Sequence, residues 1–305
     1  MGMAIERSST STPAPNAGLW SAGLGAAERA FWQDQGYVVL PGFKSARELA
    51  ALRQRAQEIV AAFDPAKQRS VFATHNQARR SADQAFLNSA QGIECFLEEE
   101  AVDANGELLR PKEVAVNKIG HALHELDPVF ARFTAEASLQ AVAQSLGLVD
   151  PVLWQSMVII KPPGIGAEVR WHQDATFLHT TPQCVVGFWF ALEDADRDNG
   201  CLWVAPGAHR GPLRERFVRR HGAAEGPLMQ LQKLSDEPWP TLEQAVPVEV
   251  SAGALVCLHG LLPHYSAPNR SARSRLAYAV HAADAACTWS EDNWLQRNTR
   301  PPLMG

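Results

Sequence analysis

The first residues that could do chemistry are a histidine and a carboxylate in the segment Trp171-His172-Gln173-Asp174. In an extended segment, residues i and i+2 point to the same side, so His172 and Asp174 can converge on one ion. This spacing is common by chance. It gains weight if a second histidine follows at a later strand, because two histidines and one carboxylate bind one face of Fe(II) and leave the opposite face open.

Two later histidines are candidates for that third ligand. His259 ends the apolar run of residues 254–258, where a core histidine bonded to the backbone is expected. His264 follows Pro263 in a turn-rich segment, where a side chain can point into the mouth of a cavity. We therefore favour His264.

An arginine lies eleven residues after each of these histidines, so the spacing does not decide between them. Arg270 lies in a turn, which is typical of a solvated charge. Arg275 opens a predicted strand, and Ala277 and Ala279 on the same face leave room for a buried guanidinium. A buried cation needs an anionic partner, and a ligand carboxylate bound through two hydrogen bonds would supply it.

The elements that must position these residues form a helical first half and a β-rich second half. Ser45 and Glu48 have the spacing of a capping box, and apolar residues recur behind them every three or four positions. Residues 64–92 are predicted to form a long loop, and Asn105-Gly106 indicates a hairpin turn. The predicted helices and strands are helices at 26–35, from 45 onward and at 128–146, and strands at 37–40, 152–161, 185–192, 201–204, 246–250, 254–259 and 275–281. This order predicts an α+β fold, a double-stranded β-helix (a jelly-roll or cupin-like barrel) with flanking helices.

Composition narrows the class of protein. The chain has 305 residues, of which 46% are hydrophobic, and a formal net charge of −5, so it can bury a core and lacks the cationic excess typical of nucleic-acid or anionic-lipid binding. No apolar run approaches the roughly 20 residues of a membrane-spanning helix. The five cysteines are scattered and predict neither a disulfide framework nor a thiolate zinc site, so a cytoplasmic location is expected.

The sequence predicts one folded domain. Residues 1–25 contain a Ser, Thr and Pro-rich stretch and are expected to be a disordered leader, and residues 26–305 a single domain. The oligomeric state is left open, with a monomer possible.

Taken together, these residues resemble the phytanoyl-CoA dioxygenase (PhyH) family of Fe(II)/2-oxoglutarate oxygenases. The closest similarity is to its branch of phytanoyl-CoA dioxygenase domain-containing proteins. The motifs that carry the resemblance are His172-Gln173-Asp174, His264 with Ser266, Arg275, and residues 116–124, 155–157, 172–178, 199–209 and 289–296. The resemblance covers residues 26–300 and leaves out the segment around residues 210–240.

The resemblance implies a role for each matching residue. His172, Asp174 and His264 would bind Fe(II), and Arg275 with Ser266 would bind the distal carboxylate of 2-oxoglutarate. The remaining contacts to this co-substrate would come from Lys118, Met157, Gln173 and Trp189. The implied reaction consumes O2, hydroxylates an aliphatic C–H bond of a small-molecule or acyl substrate, and releases succinate and CO2. Because Asp174 is a carboxylate rather than a small apolar residue, hydroxylation is expected and halogenation is not.

Several alternatives stay open at this point. The same ligands suit a metal and 2-oxoglutarate sensor without turnover, or a His2Asp zinc hydrolase. His121 and His124 could form a second metal pair, although no carboxylate triad is near them in sequence. Ser266 could be a turn residue, and Met157 and Trp189 could be core residues. The cations that could meet a substrate phosphate or carboxylate, or form a solvated charge run, are Arg214, Arg216, Arg219 and Arg220.

Overall fold

The computed structural model describes residues 19–66, 70–71, 84–220 and 228–303. The predicted leader up to residue 18, and residues 67–69 and 72–83 of the predicted long loop, lie outside these ranges. The described α-helices are α1 (Ala26–Gln35), α2 (Ala46–Ala62), α3 (Gln84–Asn88), α4 (Leu123–Leu126), α5 (Pro128–Thr134) and α6 (Ala137–Ser145). The described strands are β1 (Tyr37–Leu40), β2 (Ile93–Leu97), β3 (Val116–His121), β4 (Pro151–Lys161), β5 (Val169–His172), β6 (Thr180–Thr181), β7 (Val186–Ala191), β8 (Leu202–Val204), β9 (Glu215–Arg219), β10 (Met229–Lys233), β11 (Val246–Val248), β12 (Leu255–His259), β13 (His264–Ser266), β14 (Arg275–Asp284) and β15 (Thr288–Trp289).

Two antiparallel sheets form the centre of the fold. The larger sheet has seven strands in the order β1-β12-β7-β14-β4-β3-β2, and the smaller has four in the order β11-β8-β13-β5. A hairpin of β9 and β10 and a short pair of β6 and β15 lie outside these sheets. This arrangement is the predicted double-stranded β-helix with helices packed on one side, an α+β fold.

The larger sheet is buried on both faces. Successive residues of its strands point to opposite faces, and the side chains of each face pack in a different hydrophobic cluster. On its outer face, Phe190 and Tyr278 pack in one cluster with Leu52 of α2 and Phe133 of α5. On its inner face, residues such as Trp189 belong to a second cluster with Leu202 and Val204 of the smaller sheet. The space between the two sheets therefore receives the inward residues of β4, β7 and β14.

Local sequence signals explain where the first helices begin and end. The side chain of Ser45 accepts a hydrogen bond from the Glu48 backbone and Glu48 returns one to the Ser45 backbone, so the predicted capping box starts α2. Helix α1 ends at Gly36, whose φ of 78° is the left-handed conformation that favours glycine.

Residues 128–146 form two helices instead of the one that the sequence predicts. Helix α5 ends at Thr134 and α6 begins at Ala137. Between them, the ammonium group of Lys44 binds the backbone carbonyl of Phe133 at 2.7 Å and the carboxylate of Glu136 at 2.6 Å. A buried cation thus replaces the helical hydrogen bonds that would have continued α5.

The predicted hairpin at Asn105-Gly106 is reduced to a turn. Gly106 has a φ of 82° and donates a backbone hydrogen bond to Asp103, but only an isolated bridge joins Val102 to Leu108. Strand β2 pairs with β3 instead.

Two further expectations are corrected. Within the predicted leader, Trp20 and Leu24 are buried in the main core, and the Leu24 backbone donates to the Ser145 hydroxyl at 3.0 Å, so the folded chain begins before Ala26. The sequence indicated no disulfide, but the structure joins Cys184 to Cys287 across 103 residues of sequence.

No described helix combines the length and the apolar character needed to cross a membrane.

Candidate active site

Two strands of the smaller sheet bring the histidines of the predicted metal site together. His172 is the last residue of β5, His264 is the first of β13, and the two lie directly opposite each other in the antiparallel register. Their ring centroids are 4.1 Å apart. Residues that face each other across a strand pair have adjacent Cβ atoms, so this register alone brings the two imidazoles together.

Asp174 completes the group from the turn that follows β5. It begins a short 3-10 helix, Asp174–Thr176, and its Oδ1 atom lies 4.0 Å from Nε2 of His172 and 3.6 Å from Nε2 of His264. Among the described residues, these three are the group of histidine, cysteine and acidic side chains whose ligand atoms lie within 4.8 Å of one another. The structure therefore gathers the predicted ligand set and selects His264 over His259.

Backbone hydrogen bonds set the tautomers of both histidines. Nδ1 of His172 donates to the Arg170 carbonyl at 2.8 Å, and Nδ1 of His264 donates to the Leu262 carbonyl at 3.0 Å. Since a carbonyl only accepts, each Nδ1 carries the proton, and each Nε2 keeps its lone pair for a metal.

Burial and charge favour the protonation states that a metal requires. Burial, together with the nearby His264, lowers the pKa of His172 to about 3, so its imidazole is neutral near pH 7. Burial by itself raises the pKa of Asp174, but the imidazoles of His281 and His264 outweigh it and hold that pKa below its usual range. Asp174 is thus an ionised carboxylate beside the neutral imidazole of His172.

The three ligands line a cavity of about 160 Å³ between the two sheets. Arg275, the first residue of β14, lies in its wall and is only 1% exposed. Its Nε and Nη1 atoms have no hydrogen-bond partner among the described residues, and its guanidinium carbon is 5.6 Å from the centroid of the Trp189 ring. Burial lowers the pKa of Arg275 to about 10, which leaves the group charged near pH 7.

An unpartnered buried guanidinium is costly unless a ligand carboxylate binds it. The competing arginine, Arg270, is exposed and already paired with Glu100 at 2.8 Å. His259 is likewise occupied, because its Nδ1 atom accepts a hydrogen bond from the Leu261 backbone. The surroundings of these residues, and not their spacing in the sequence, therefore distinguish the pair His264 and Arg275 from the pair His259 and Arg270.

The other expected co-substrate residues divide into two groups. Lys118, Met157, Trp189 and Ser266 line the cavity together with Arg275. The Ser266 hydroxyl donates to the Gly200 carbonyl at 2.8 Å, so its own proton is already used in holding the backbone.

Gln173 is placed elsewhere and is not among the residues that line the cavity. Its amide nitrogen donates to the carbonyls of Pro212 and Leu261, and its amide oxygen accepts from the Arg214 backbone. In the extended segment that leads into Asp174, the side chain between the two ligands points the opposite way. The expected co-substrate contact of Gln173 is corrected to a structural role that ties this segment to its neighbours.

His121 and His124 do not form a metal pair with an acidic residue among the described residues. Nδ1 of His121 is 2.8 Å from the Ser89 hydroxyl, and Nδ1 of His124 is 2.7 Å from the Ser156 hydroxyl. Both histidines are buried polar residues held by serines, although His121 also lines the cavity.

The segment around residues 210–240 contributes to the cavity through Glu215 and Leu231. Its arginines have mostly structural partners: Arg214 pairs with Glu237, Arg216 donates to the Ser290 hydroxyl, and Arg219 donates to the Trp294 carbonyl. The β9–β10 hairpin is thereby attached to the chain that follows β15. These three arginines therefore match neither of the two expectations, a run of solvated charges or a set of cations that binds a substrate phosphate or carboxylate.

Sequence reasoning missed His281, Gly187 and Gln155, which also line the cavity. His281 and Arg275 are six residues apart on β14, and side chains of a strand alternate between its two faces, so the two residues face the same side. This alternation could have identified His281 from the sequence. Gln155 belongs to the family motif at residues 155–157 but received no role there. Nothing in the sequence signalled Gly187, because its position depends on how β7 pairs with β14.

The donor set and the unpartnered guanidinium fit an iron ion and 2-oxoglutarate. Two neutral imidazoles and one carboxylate are the ligands of a facial Fe(II) site, and they occupy one side of the cavity. The buried Arg275 supplies the counter-charge for a dicarboxylate in the same cavity.

Comparisons with known proteins agree with this geometry. A family model described as Phytanoyl-CoA dioxygenase (PhyH) matches residues 32–277. Phytanoyl-CoA dioxygenase of Arabidopsis thaliana is 43% identical over 274 residues, which are 89% of this chain and 93% of that protein. Phytanoyl-CoA dioxygenase domain-containing protein 1 of Bos taurus is 45% identical over 278 residues, 89% of this chain and 94% of that protein.

Solved structures show the same fold. The crystal structure of EctD from S. alaskensis with bound Fe has a TM-score of 0.61 and 21% sequence identity, and the match covers 97% of this chain and 89% of that one. A second structure of EctD holds 2-oxoglutarate and 5-hydroxyectoine and has a TM-score of 0.59, with 21% identity over 96% of this chain and 85% of that chain.

Proposed function

Because this chain belongs to the phytanoyl-CoA dioxygenase family, we propose that it hydroxylates an aliphatic C–H bond of a small-molecule or acyl substrate. The protein is an oxygenase that depends on Fe(II) and 2-oxoglutarate. O2 is the second co-substrate, and succinate and CO2 are the proposed co-products. One observation carries the proposal: the buried guanidinium of Arg275, whose Nε and Nη1 have no hydrogen-bond partner among the described residues, lines the same cavity as His172, Asp174 and His264.

When bound, the iron supplies the chemistry that couples oxidative decarboxylation of 2-oxoglutarate to C–H oxidation. The chain's own residues prepare for that event. His172 and His264 present their Nε2 lone pairs because both Nδ1 protons are bonded to backbone carbonyls. Asp174 brings a negative charge that offsets the charge of the metal.

Arg275 orients the co-substrate by binding its distal carboxylate. The buried guanidinium needs an anionic partner. Because the planar guanidinium can donate to both oxygens of a carboxylate, it both binds the acid and sets its orientation. Trp189 and Met157 form apolar walls beside it, and Lys118 adds a second cation. These contacts leave the remaining part of the cavity for the substrate.

Gln155 is the proposed polar contact for the substrate. It is 4% exposed and lines the cavity, so its side-chain amide is available at the cavity wall. Phe177, Leu178 and Trp294 provide apolar walls of the same cavity. A substrate with a hydrogen-bonding group next to a hydrocarbon segment matches this combination.

An acyl substrate would insert its reacting segment into the cavity beside 2-oxoglutarate. The lining of this cavity also includes Glu215 and Leu231 of the β9–β10 hairpin.

The zinc-hydrolase and sensor alternatives explain less of the site. Hydrolysis by a metal-bound water does not require a dicarboxylate co-substrate, so a hydrolase leaves the buried Arg275 without a partner. A sensor would use Arg275, but it would have no need for a polar Gln155 beside the apolar substrate walls of the cavity.

The test measures succinate formation together with oxygen consumption. The protein is loaded with Fe(II) and 2-oxoglutarate without oxygen, then exposed to air with a panel of carboxylic acids, amino acids and acyl thioesters. We expect at least one compound to raise succinate release above the substrate-free rate and to gain one oxygen atom. His264→Gln should abolish this release, and His259→Gln should not. Binding of 2-oxoglutarate without any turnover would favour the sensor, and oxygen-independent, zinc-dependent hydrolysis would favour the hydrolase.

A further inference from the structure

A third histidine contacts the carboxylate of Asp174. Nε2 of His281 lies 3.3 Å from Asp174 Oδ1, closer than the Nε2 atoms of His264 at 3.6 Å and His172 at 4.0 Å. His281 is 6% exposed and belongs to β14, in the larger sheet, whereas the other two histidines belong to the smaller sheet. The carboxylate is therefore held from both sheets.

The strand opposite His281 leaves space for the other carboxylate oxygen. Gly187 of β7 is the register partner of His281. A Cβ atom at Gly187 would lie 2.6 Å from Asp174 Oδ2 and 3.5 Å from the Cδ2 atom of His281. Any larger residue at Gly187 would push the carboxylate out of its present position.

The two carboxylate oxygens consequently have different surroundings. Oδ1 faces three imidazoles, while Oδ2 is buried against Gly187 and has no hydrogen-bond partner among the described residues. Rotation of the carboxylate would exchange these environments and break the contact with His281.

We propose that His281 is a positioning residue that donates a hydrogen bond from Nε2 to Asp174 Oδ1, while Gly187 provides the space for Oδ2. Together they hold the carboxylate so that Oδ1 lies between the Nε2 atoms of His172 and His264 and serves as the single metal-binding oxygen. In this arrangement His281 acts through Asp174. It lies outside the group of three residues whose ligand atoms are all within 4.8 Å of one another. The inference rests on the proposed metal centre.

The first experiment measures Co(II) affinity by calorimetry in the full-length, metal-free protein. His281→Leu removes the donor, and we expect metal affinity to fall by about 10–100-fold, as is typical for partners that orient metal ligands. His281→Gln places an amide nitrogen near the position of Nε2 and should restore affinity to within a few fold of the wild type. His259→Leu, which changes a histidine outside the cavity, is the matched control and should bind Co(II) normally.

A second variant tests the same arrangement without altering His281. Gly187→Ala adds the Cβ atom that approaches Oδ2, and it should weaken Co(II) binding to a similar extent. It also keeps the proposal testable if His281→Leu does not fold. Unchanged affinity in a folded His281→Leu or in Gly187→Ala would overturn the inference.

X-ray absorption of the Co(II)-loaded protein distinguishes positioning from ligation. Two imidazole ligands in both the wild type and His281→Gln support the positioning role. Three imidazoles in the wild type and two in the variant would overturn it, because His281 would then be a ligand. Failure of the wild type to bind Co(II), or normal binding by His172→Ala, would instead contradict the proposed metal centre.

Discussion

His172 and His264 are matched residues of an antiparallel strand pair, and each donates Nδ1–H to the carbonyl of the residue two positions before it. The same local device therefore sets both tautomers. The two imidazoles lie 4.1 Å apart by ring centroid, and backbone carbonyls fix the orientation of both rings.

The first prediction concerns the choice between His264 and His259. His264→Gln should reduce Co(II) affinity by more than the 10–100-fold that is typical for outer-sphere partners, because it removes a ligand itself. His259→Gln should retain wild-type affinity, since His259 bonds the Leu261 backbone instead. Calorimetric titration of both variants checks this, and equal losses in the two would contradict the assignment.

The second prediction concerns the 2-oxoglutarate anchor. Arg275→Gln should raise the KM for 2-oxoglutarate by about 10–100-fold, because a hydrogen bond to a charged group contributes about 1.5–3 kcal/mol. Co(II) binding should persist in this variant. The measurement is succinate release as a function of 2-oxoglutarate concentration.

Arg270→Gln is the matched control for that variant. Arg270 is exposed and pairs with Glu100, so its replacement should leave the KM unchanged. Arg275→Lys keeps the charge but not the planar fork, and it should fall between the wild type and Arg275→Gln. A wild-type KM in Arg275→Gln would remove the main support for the co-substrate site.

The third prediction concerns pH and stability in the metal-free protein. Burial, with a smaller contribution from Arg297, lowers the pKa of His124 from 6.5 to about 3. The unfolded chain therefore binds a proton that the folded chain does not. The stabilisation from neutral His124 is present above pH 6.5 and is lost as the pH falls toward 3.

His124→Asn should make stability less dependent on pH. Between pH 7 and pH 5 the wild type should lose about 2 kcal/mol more free energy of unfolding than the variant. Urea unfolding at the two pH values, with a chelator present, measures the difference. His172 titrates in both proteins, so its contribution cancels, and parallel pH profiles would contradict the prediction.

The fourth prediction concerns the start of the folded chain. Trp20 is 9% exposed and packs in the main core, whereas its neighbour Leu19 is 59% exposed. Trp20→Ala should lower the free energy of unfolding by about 3 kcal/mol, the low end for removal of a buried aromatic side chain. Leu19→Ala should change it by less than about 0.5 kcal/mol. A loss below about 0.5 kcal/mol for Trp20→Ala as well would restore the predicted boundary at residue 25.

The sequence by itself determined the features that depend on neighbouring residues. The capping box of Ser45 and Glu48, the end of α1 at Gly36, and the alternation that places Arg275 with Ala277 and Ala279 follow from rules that act over a few positions. The His-x-Asp spacing belongs to the same group. The turn around His264 and the strand that Arg275 opens favoured these two residues over His259 and Arg270, and the family motifs then implied their roles.

Only the tertiary structure decided features that depend on pairing between distant segments. The register of β13 with β5 places His264 opposite His172, and the register of β14 with β7 places His281 opposite Gly187. Lys44 separates α5 from α6 through contacts about 90 residues away in sequence, and Gln173 faces the Pro212 and Leu261 carbonyls instead of the cavity. Strand period fixes which side a residue faces, but the partner on that side is set by the pairing of sheets, and no local pattern in the chain encodes that pairing.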